Sequence, residues 1–289
     1  MSKRAASNTA LGAATCRLIE QFQPVGSRLV TDPIVKDLVG TTIRTLIRFA
    51  PVRSYTLRRT EAILEGLYGG QVCRCRFIDD VVQSALSGGT DQLVILGAGF
   101  DTRPYRLEVA RKASVFELDL PQVQYEKRRR LVRRIGRLPA NVSFIPTNFN
   151  SQNLQEVLKG TSLDPSRPAV YVWEGVTQYV SEVVVRKMLS LIGRSARGST
   201  VLFTYVLRSI IEGRSDIPNA AKVMDAVAKN GSPWVFGLEK SEVPDFVKQF
   251  HMNVVEDVGN LDYQARYLKP MGRELAVSEA ERTVHAKVD

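Results

Sequence analysis

Four short stretches of the chain carry residues able to bind an organic ligand, and each directly follows an apolar run. Gly97-Ala98-Gly99 follows 92–96, Asp119 closes 114–118, Asn148-Phe149 follows 142–146, and Glu174-Gly175 follows 169–173. The two glycines let the backbone turn tightly and let a ligand approach it closely. A dinucleotide fingerprint needs a third glycine at position 102, where this chain has Thr102, with Pro104 soon after, so a ligand without a pyrophosphate fits better. A tight strand–helix turn alone also accounts for the pair. Asp119 lies twenty residues beyond Gly99, the spacing at which an acid reaches ribose hydroxyls. Capping of a helix that starts near Pro121 accounts for it equally well. Asn148 and Phe149 offer an amide and a ring to the edge and face of an adenine, although asparagine is also a common turn residue. Glu174, directly after a buried strand, must find a partner or face a cleft, where it would attract an amino group or a sulfonium. Tyr179 lies close enough to line the same cleft.

Glycines, a ribose acid, an adenine-side amide and a carboxylate facing a cation together describe a nucleoside bearing an amino acid. S-adenosylmethionine is such a molecule. Its sulfonium makes the methyl group electrophilic, and transfer to oxygen is an in-line displacement governed by positioning and exclusion of water. Alignment alone can lower such a barrier by roughly 7–11 kcal/mol.

The elements that must position these residues alternate in type. Strands are expected at 92–96, 114–118, 142–146, 169–173 and 200–206, and helices at about 104–111, 121–135, 151–159 and 182–194. This order implies an open, mostly parallel, doubly wound α/β sheet, whose ligands bind beyond the carboxyl ends of the strands. A helix at 241–250, with Val243 and Phe246 facing in, and strands at 253–257 and 283–288 complete a seven-stranded sheet. Residues 1–90 read as a helical extension. One helix runs over 9–22, capped by Ser7 or Asn8. A second opens at Asp32-Pro33, with Asp32 at the N-cap. A third covers 74–86, with Phe77, Ile78, Val81, Val82 and Leu86 at helical spacing. The whole chain, 1–289, reads as one domain, with 1–90 over the ligand as a lid and 91–289 as the core.

With 289 residues, 44% of them hydrophobic, the chain can bury a sizeable core. The net charge of +10 suits an acidic partner. Lys127–Arg134 (KRRRLVRR) suggests a nucleic-acid stripe, but no aromatic residue interleaves with the charges, and a solvated helix face with Leu131 and Ile135 turned inward fits better. Nucleic acid is therefore not an expected partner. The three cysteines, Cys16, Cys73 and Cys75, complete no zinc site. The only histidines, His251 and His285, lie far from the glycines and from each other, which excludes a histidine-rich metal site. No span has the apolar length needed to cross a bilayer, and the N-terminus reads as a helix rather than a signal peptide. A cytoplasmic location is expected.

The sequence resembles the leucine carboxyl methyltransferase family of class I S-adenosylmethionine-dependent methyltransferases, and within it the bacterial-type small-molecule O-methyltransferases such as those acting on polyketides. The likeness is carried by VILGAGFDTRPYRL (94–107), FELDLPQV (116–123) and WEGVTQYV (173–180), and extends to Thr31-Asp32-Pro33, CRCRFIDD (73–80), WVFGLEKSEVPDFVKQF (234–250) and ERTVHAKV (281–288). It implies a Rossmann-like fold and S-adenosyl-L-methionine as cofactor. Arg74 would clamp the cofactor carboxylate. Gly97 and Gly99 would touch its methionine part, Asp119 its ribose, Asn148 and Phe149 its adenine, and Glu174 its amino group. Tyr179 would lie near the acceptor. The family usually has Asp at position 148 and often Thr at 75, where this chain has Asn148 and Cys75. Arg17, Arg28 and Arg103 are candidate anchors for an acidic acceptor, with packing or surface roles as the alternative. No catalytic base is evident. The expected activity is methyl transfer to a hydroxyl or carboxyl of a small molecule. Alternatives are methylation of a protein C-terminal carboxylate, a nicotinamide-dependent oxidoreductase, which Thr102 disfavours, and an RNA-binding or RNA-modifying protein.

Overall fold

A computed structural model of the chain describes residues 3–289, with side chains from Ser7 onward. The first helix, α1 (Lys3–Glu20), is followed by α2 (Val35–Leu38), α3 (Thr41–Ile47), α4 (Ala50–Ile63) and α5 (Leu67–Ser87). Ser7 and Asn8 therefore lie inside a helix rather than at its cap. Asp32 does cap the turn into α2, its Oδ1 accepting from the N–H groups of Ile34 and Val35 at 3.2 and 3.0 Å, but the helix starts two residues later than expected. From β1 (Gln92–Leu96) the chain alternates through α6 (Arg103–Arg106), β2 (Ser114–Asp119), α7 (Pro121–Ile135), β3 (Val142–Pro146), α8 (Leu154–Lys159), β4 (Val170–Trp173), α9 (Glu182–Ile192) and β5 (Thr200–Val206). It closes on α10 (Arg208–Ile211), α11 (Ala220–Lys229), α12 (Val243–Lys248), β6 (Met252–Val258), α13 (Asn260–Tyr263) and β7 (Glu281–Val288).

The seven strands form one sheet in the order β3-β2-β1-β4-β5-β7-β6. All pairings are parallel except those of β7, which runs antiparallel to both β5 and β6. Strand order reverses between β1 and β4, so the loops after these two strands diverge and leave a crevice. Both faces are covered. Leu93 and Ile95 of β1 join the core shared with α1, α2 and α5, while Val94 and Leu96 point the opposite way into the core under α9 and α12. That double burial is why β1 is apolar from Leu93 to Leu96 rather than alternating. Val243 and Phe246 of α12 are buried, as their spacing implies.

Two assignments on α7 need correction, one inward and one outward. Leu131 is buried, but Ile135 is 37% exposed, because the helix ends at Gly136 and its last turn leaves the sheet. Lys127, counted with the solvated charges, is 1% exposed. It lies over the sheet and pairs with buried Glu117 at 2.8 Å. The segment around 104–111 is a four-residue helix and a separate 3-10 turn, Glu108–Arg111, rather than one helix.

Candidate cofactor-binding site

A cavity of about 960 Å³ opens at the carboxyl ends of β1 to β4, with α1 and α5 closing its other side. Arg74, Gly97, Gly99, Asp119, Asn148, Phe149, Glu174 and Tyr179 all line it. Residues as far apart in sequence as Arg74 and Tyr179 thus meet around one volume, which is of the size that holds organic ligands.

The glycine loop forms the floor. The N–H groups of Gly97 and Ala98 both donate to Leu118 O, at 2.8 and 3.0 Å, which fixes the loop against β2. Gly97 has φ +70° and Gly99 φ +40°, the left-handed region that favours glycine. A Cβ on Gly97 would lie 2.4 Å from Val176 Cγ2. Thr102, at the position where a dinucleotide loop needs glycine, uses its side chain. Its hydroxyl donates to Asp32 Oδ2 at 2.6 Å and ties the loop to the N-terminal helices.

Asp119 is not the cap of α7, whose N-cap is Leu120, with no side-chain capping bond. Its Oδ1 accepts from Leu120 N–H at 2.6 Å, at the start of α7, and its Oδ2 accepts from Gly99 N–H at 2.6 Å. Each oxygen keeps a lone-pair site toward the cavity. Burial raises its pKa, and the two N–H donors offset part of that rise. On the next strand, Asn148 Oδ1 accepts from Asn150 N–H at 3.1 Å, an Asx turn. Its Nδ2 group has no partner among the described residues.

Glu174 sits between two arginines. Its Oε1 accepts from Arg74 Nε at 2.8 Å, and its Oε2 accepts from Arg103 Nη1 at 2.7 Å. Burial would raise its pKa, but Arg103 and Arg74 prevail and hold it at about 2. Arg74 also donates to Glu281 and, through Nη2, to Gln71 at 2.9 Å. One N–H on each terminal nitrogen is left, a fork that matches a carboxylate. Gly175, at φ +66°, keeps a side chain out of the space beside this guanidinium.

Arg103 is not an anchor for an acceptor. It is 1% exposed and is spent on Asp79, Asp101 and Glu174, at 2.7, 2.6 and 2.7 Å. Arg17 does line the cavity, but its Nε is paired with Asp32 at 3.1 Å and its Nη2 donates to Phe100 O at 2.6 Å. Arg28 donates to Gln23 O and is not part of the wall. Arg106 links Asp79 to Asp32 and completes a continuous network from Arg17 to Glu281. Four guanidinium groups face five carboxylates in it, leaving one net negative charge.

Tyr179 belongs to the 3-10 turn Thr177–Tyr179. Burial raises the pKa of its phenol, so it is a neutral O–H near pH 7 and not a base. Beside it, buried Gln178 lines the cavity, and its Oε1 has no partner among the described residues. Sequence reading missed Gln178, Asp79, Asp101 and Glu281. Asp79, Asp101 and Glu281 do fall in the quoted motifs, but nothing in their spacing reveals that they converge on two arginines. Among the described residues no group of histidine, cysteine, aspartate or glutamate side chains could hold a metal ion.

Comparison with known proteins gives the family and the fold. The sequence profile of the leucine carboxyl methyltransferase family matches residues 10–193. A candidate S-adenosyl-L-methionine-dependent methyltransferase of Mycolicibacterium paratuberculosis is 29% identical over 199 residues, which cover 67% of this chain and 64% of that protein. One from Frankia alni is 27% identical over 212 residues, 71% of this chain and 70% of the relative. The chain thus aligns with about two thirds of the length of these relatives. Among solved structures, a candidate methyltransferase from Thermobifida fusca superimposes with a TM-score of 0.58 at 17% identity, covering 83% of this chain and 89% of that one. An O-methyltransferase family protein from Burkholderia thailandensis gives 0.50 at 12% identity, covering 89% and 76%. These structural likenesses show the Rossmann-like fold.

Proposed function

The chain belongs to the leucine carboxyl methyltransferase family, and on that premise we propose that it is an S-adenosylmethionine-dependent methyltransferase acting on an oxygen, hydroxyl or carboxyl, of a small molecule. One observation carries the reading: the glycine loop, Asp119 and the Arg74–Glu174 pair line a single cavity. When bound, the cofactor supplies an electrophilic methyl group on a cationic sulfur.

The residues present fit that group. Gly97 and Gly99 leave the floor free of side chains, and Asp119 has lone pairs for a diol. Asn148 Nδ2 is a donor for a ring nitrogen, and the remaining N–H pair of Arg74 suits a carboxylate. S-adenosylmethionine carries one net positive charge near pH 7, from a sulfonium, an ammonium and a carboxylate. The single negative charge left in the arginine–carboxylate network complements it. Tyr179 and Gln178 are the polar groups of the adjoining wall and would orient the acceptor by hydrogen bonds. Helices α1 to α5 would act as the lid that keeps water out.

In this reading the protein orients and desolvates the reactants, and no side chain is assigned as a base. A cytoplasmic setting belongs to the same reading. It is supported by three free, buried cysteines. The test is incubation with methyl-labelled cofactor and a panel of hydroxyl compounds, carboxylic acids and proteins. Label in small-molecule ethers, or in base-labile small-molecule esters, supports the proposal. Label confined to protein carboxyl termini contradicts it.

A further inference from the structure

The arginines of α7 that the cavity does not use define a second concavity. A groove of about 710 Å³ runs between α7 and the end of β3, lined by Arg128, Arg129, Arg133, Tyr125, Val132 and Leu138. Pro121 and Pro146 line both this groove and the cofactor cavity, so the groove ends at the cavity mouth. Tyr125, Arg129 and Arg133 are four residues apart and form one row along the helix, with about 6 Å of rise between neighbours. Tyr125 is 70% exposed. Arg129 and Arg133 have no ion-pair or hydrogen-bond partner through their side chains among the described residues, and Arg128 lies only over the Phe144 ring, 5.3 Å from its centre. Their neighbours on the same helix differ. Arg130 is paired with Glu126 and Arg134 with Asp37, at 2.9 Å for the latter. On α7 the free arginines are thus confined to the groove.

We propose that this groove docks an acidic, amphipathic helical segment of a protein partner. Carboxylates four residues apart on such a helix have the same rise as Arg129 and Arg133, so the two rows pair in register. The floor supplies Val132, Leu138 and the two prolines for an apolar face. Exposed tyrosine and arginine are the side chains that most often carry binding energy at protein interfaces. A nucleic-acid strand needs a continuous cationic track and stacking rings. This groove offers one exposed ring above a mainly apolar floor, which favours the peptide. The chain's charge of +10 would speed encounter with an acidic partner.

The test is fluorescence anisotropy with three labelled probes: a Leu/Glu amphipathic helical peptide with Glu at i and i+4, its Gln counterpart, and a single-stranded RNA. Each is titrated with the full chain and with the Arg129→Glu/Arg133→Glu variant, and S-adenosylhomocysteine binding serves as the control for an intact fold and cavity. The expected result is binding of the Glu peptide that weakens at least about tenfold in the variant and with added salt, while S-adenosylhomocysteine binding is unchanged. Three results would overturn the proposal: no binding of the Glu peptide at low salt, equal binding by wild type and a folded variant, or tighter binding of the RNA than of the peptide.

Discussion

Gly99 and Asp119, twenty residues apart, are joined by a 2.6 Å hydrogen bond from the Gly99 N–H to Asp119 Oδ2. The bond links the carboxyl ends of the paired strands β1 and β2 and sets the acid beside the glycine floor. The spacing that suggests a ribose contact is therefore also a structural tie. A carboxylate with both oxygens anchored by backbone donors is preorganised for a diol.

Asp119→Ala should weaken binding of S-adenosylhomocysteine by more than about 1.5 kcal/mol, since it removes a hydrogen-bonding charge and frees the Gly99 N–H. Calorimetric titration checks this. Unchanged affinity in a folded variant would remove Asp119 from the site.

Gly97→Ala places a Cβ 2.4 Å from Val176 Cγ2 at a φ of +70°. Loss of about 2–3 kcal/mol of stability is expected, from steric overlap and backbone strain together. Adding Val176→Ala should recover the steric part and leave roughly 1 kcal/mol of strain. Urea denaturation of the two variants separates the contributions. Full recovery in the double variant would contradict the strain component.

The Lys127–Glu117 pair is buried on both sides, with Tyr105 Oη also donating to Glu117 at 3.0 Å. Lys127→Met should cost about 3–5 kcal/mol, because it strands a buried carboxylate. The double change Lys127→Met/Glu117→Gln should recover most of that loss, which urea melts would show. Equal stability of the single and double variants would argue that the charge on Glu117 is irrelevant.

Glu174 governs an acid-side loss of stability. Its pKa is lowered from 4.5 to about 2 in the folded chain by Arg103 and Arg74, working against burial. A depressed carboxylate contributes stability that is fully present above its unfolded pKa and is lost as pH falls through the folded one. Urea midpoints should therefore fall between about pH 4.5 and pH 2, and the fall should shrink in a Glu174→Gln variant. The same acid slope in that variant would assign the effect to other groups.

Sequence periodicity captured the sheet because its strands are buried on both faces: 92–96 and 200–206 are mainly apolar, wholly buried runs with the observed bounds. It captured the eight cavity residues because each follows such a run or lies in a motif. It did not reveal how α1 begins, since Ser7 and Asn8, favourable caps in themselves, lie inside a longer helix. Nor did it reveal Lys127 as buried, because a lysine inside a basic run carries no local mark of the Glu117 opposite it. The arginine network was hidden for a related reason. Asp79, Asp101 and Glu281 come from α5, the glycine loop and β7, and only the fold brings them to Arg103 and Arg74.

The most direct test of the central claim is calorimetric titration of the full chain with S-adenosylmethionine, S-adenosylhomocysteine and NAD. The account predicts saturable binding of the first two and none of NAD. Binding of NAD alone, or of none of the three, would contradict it.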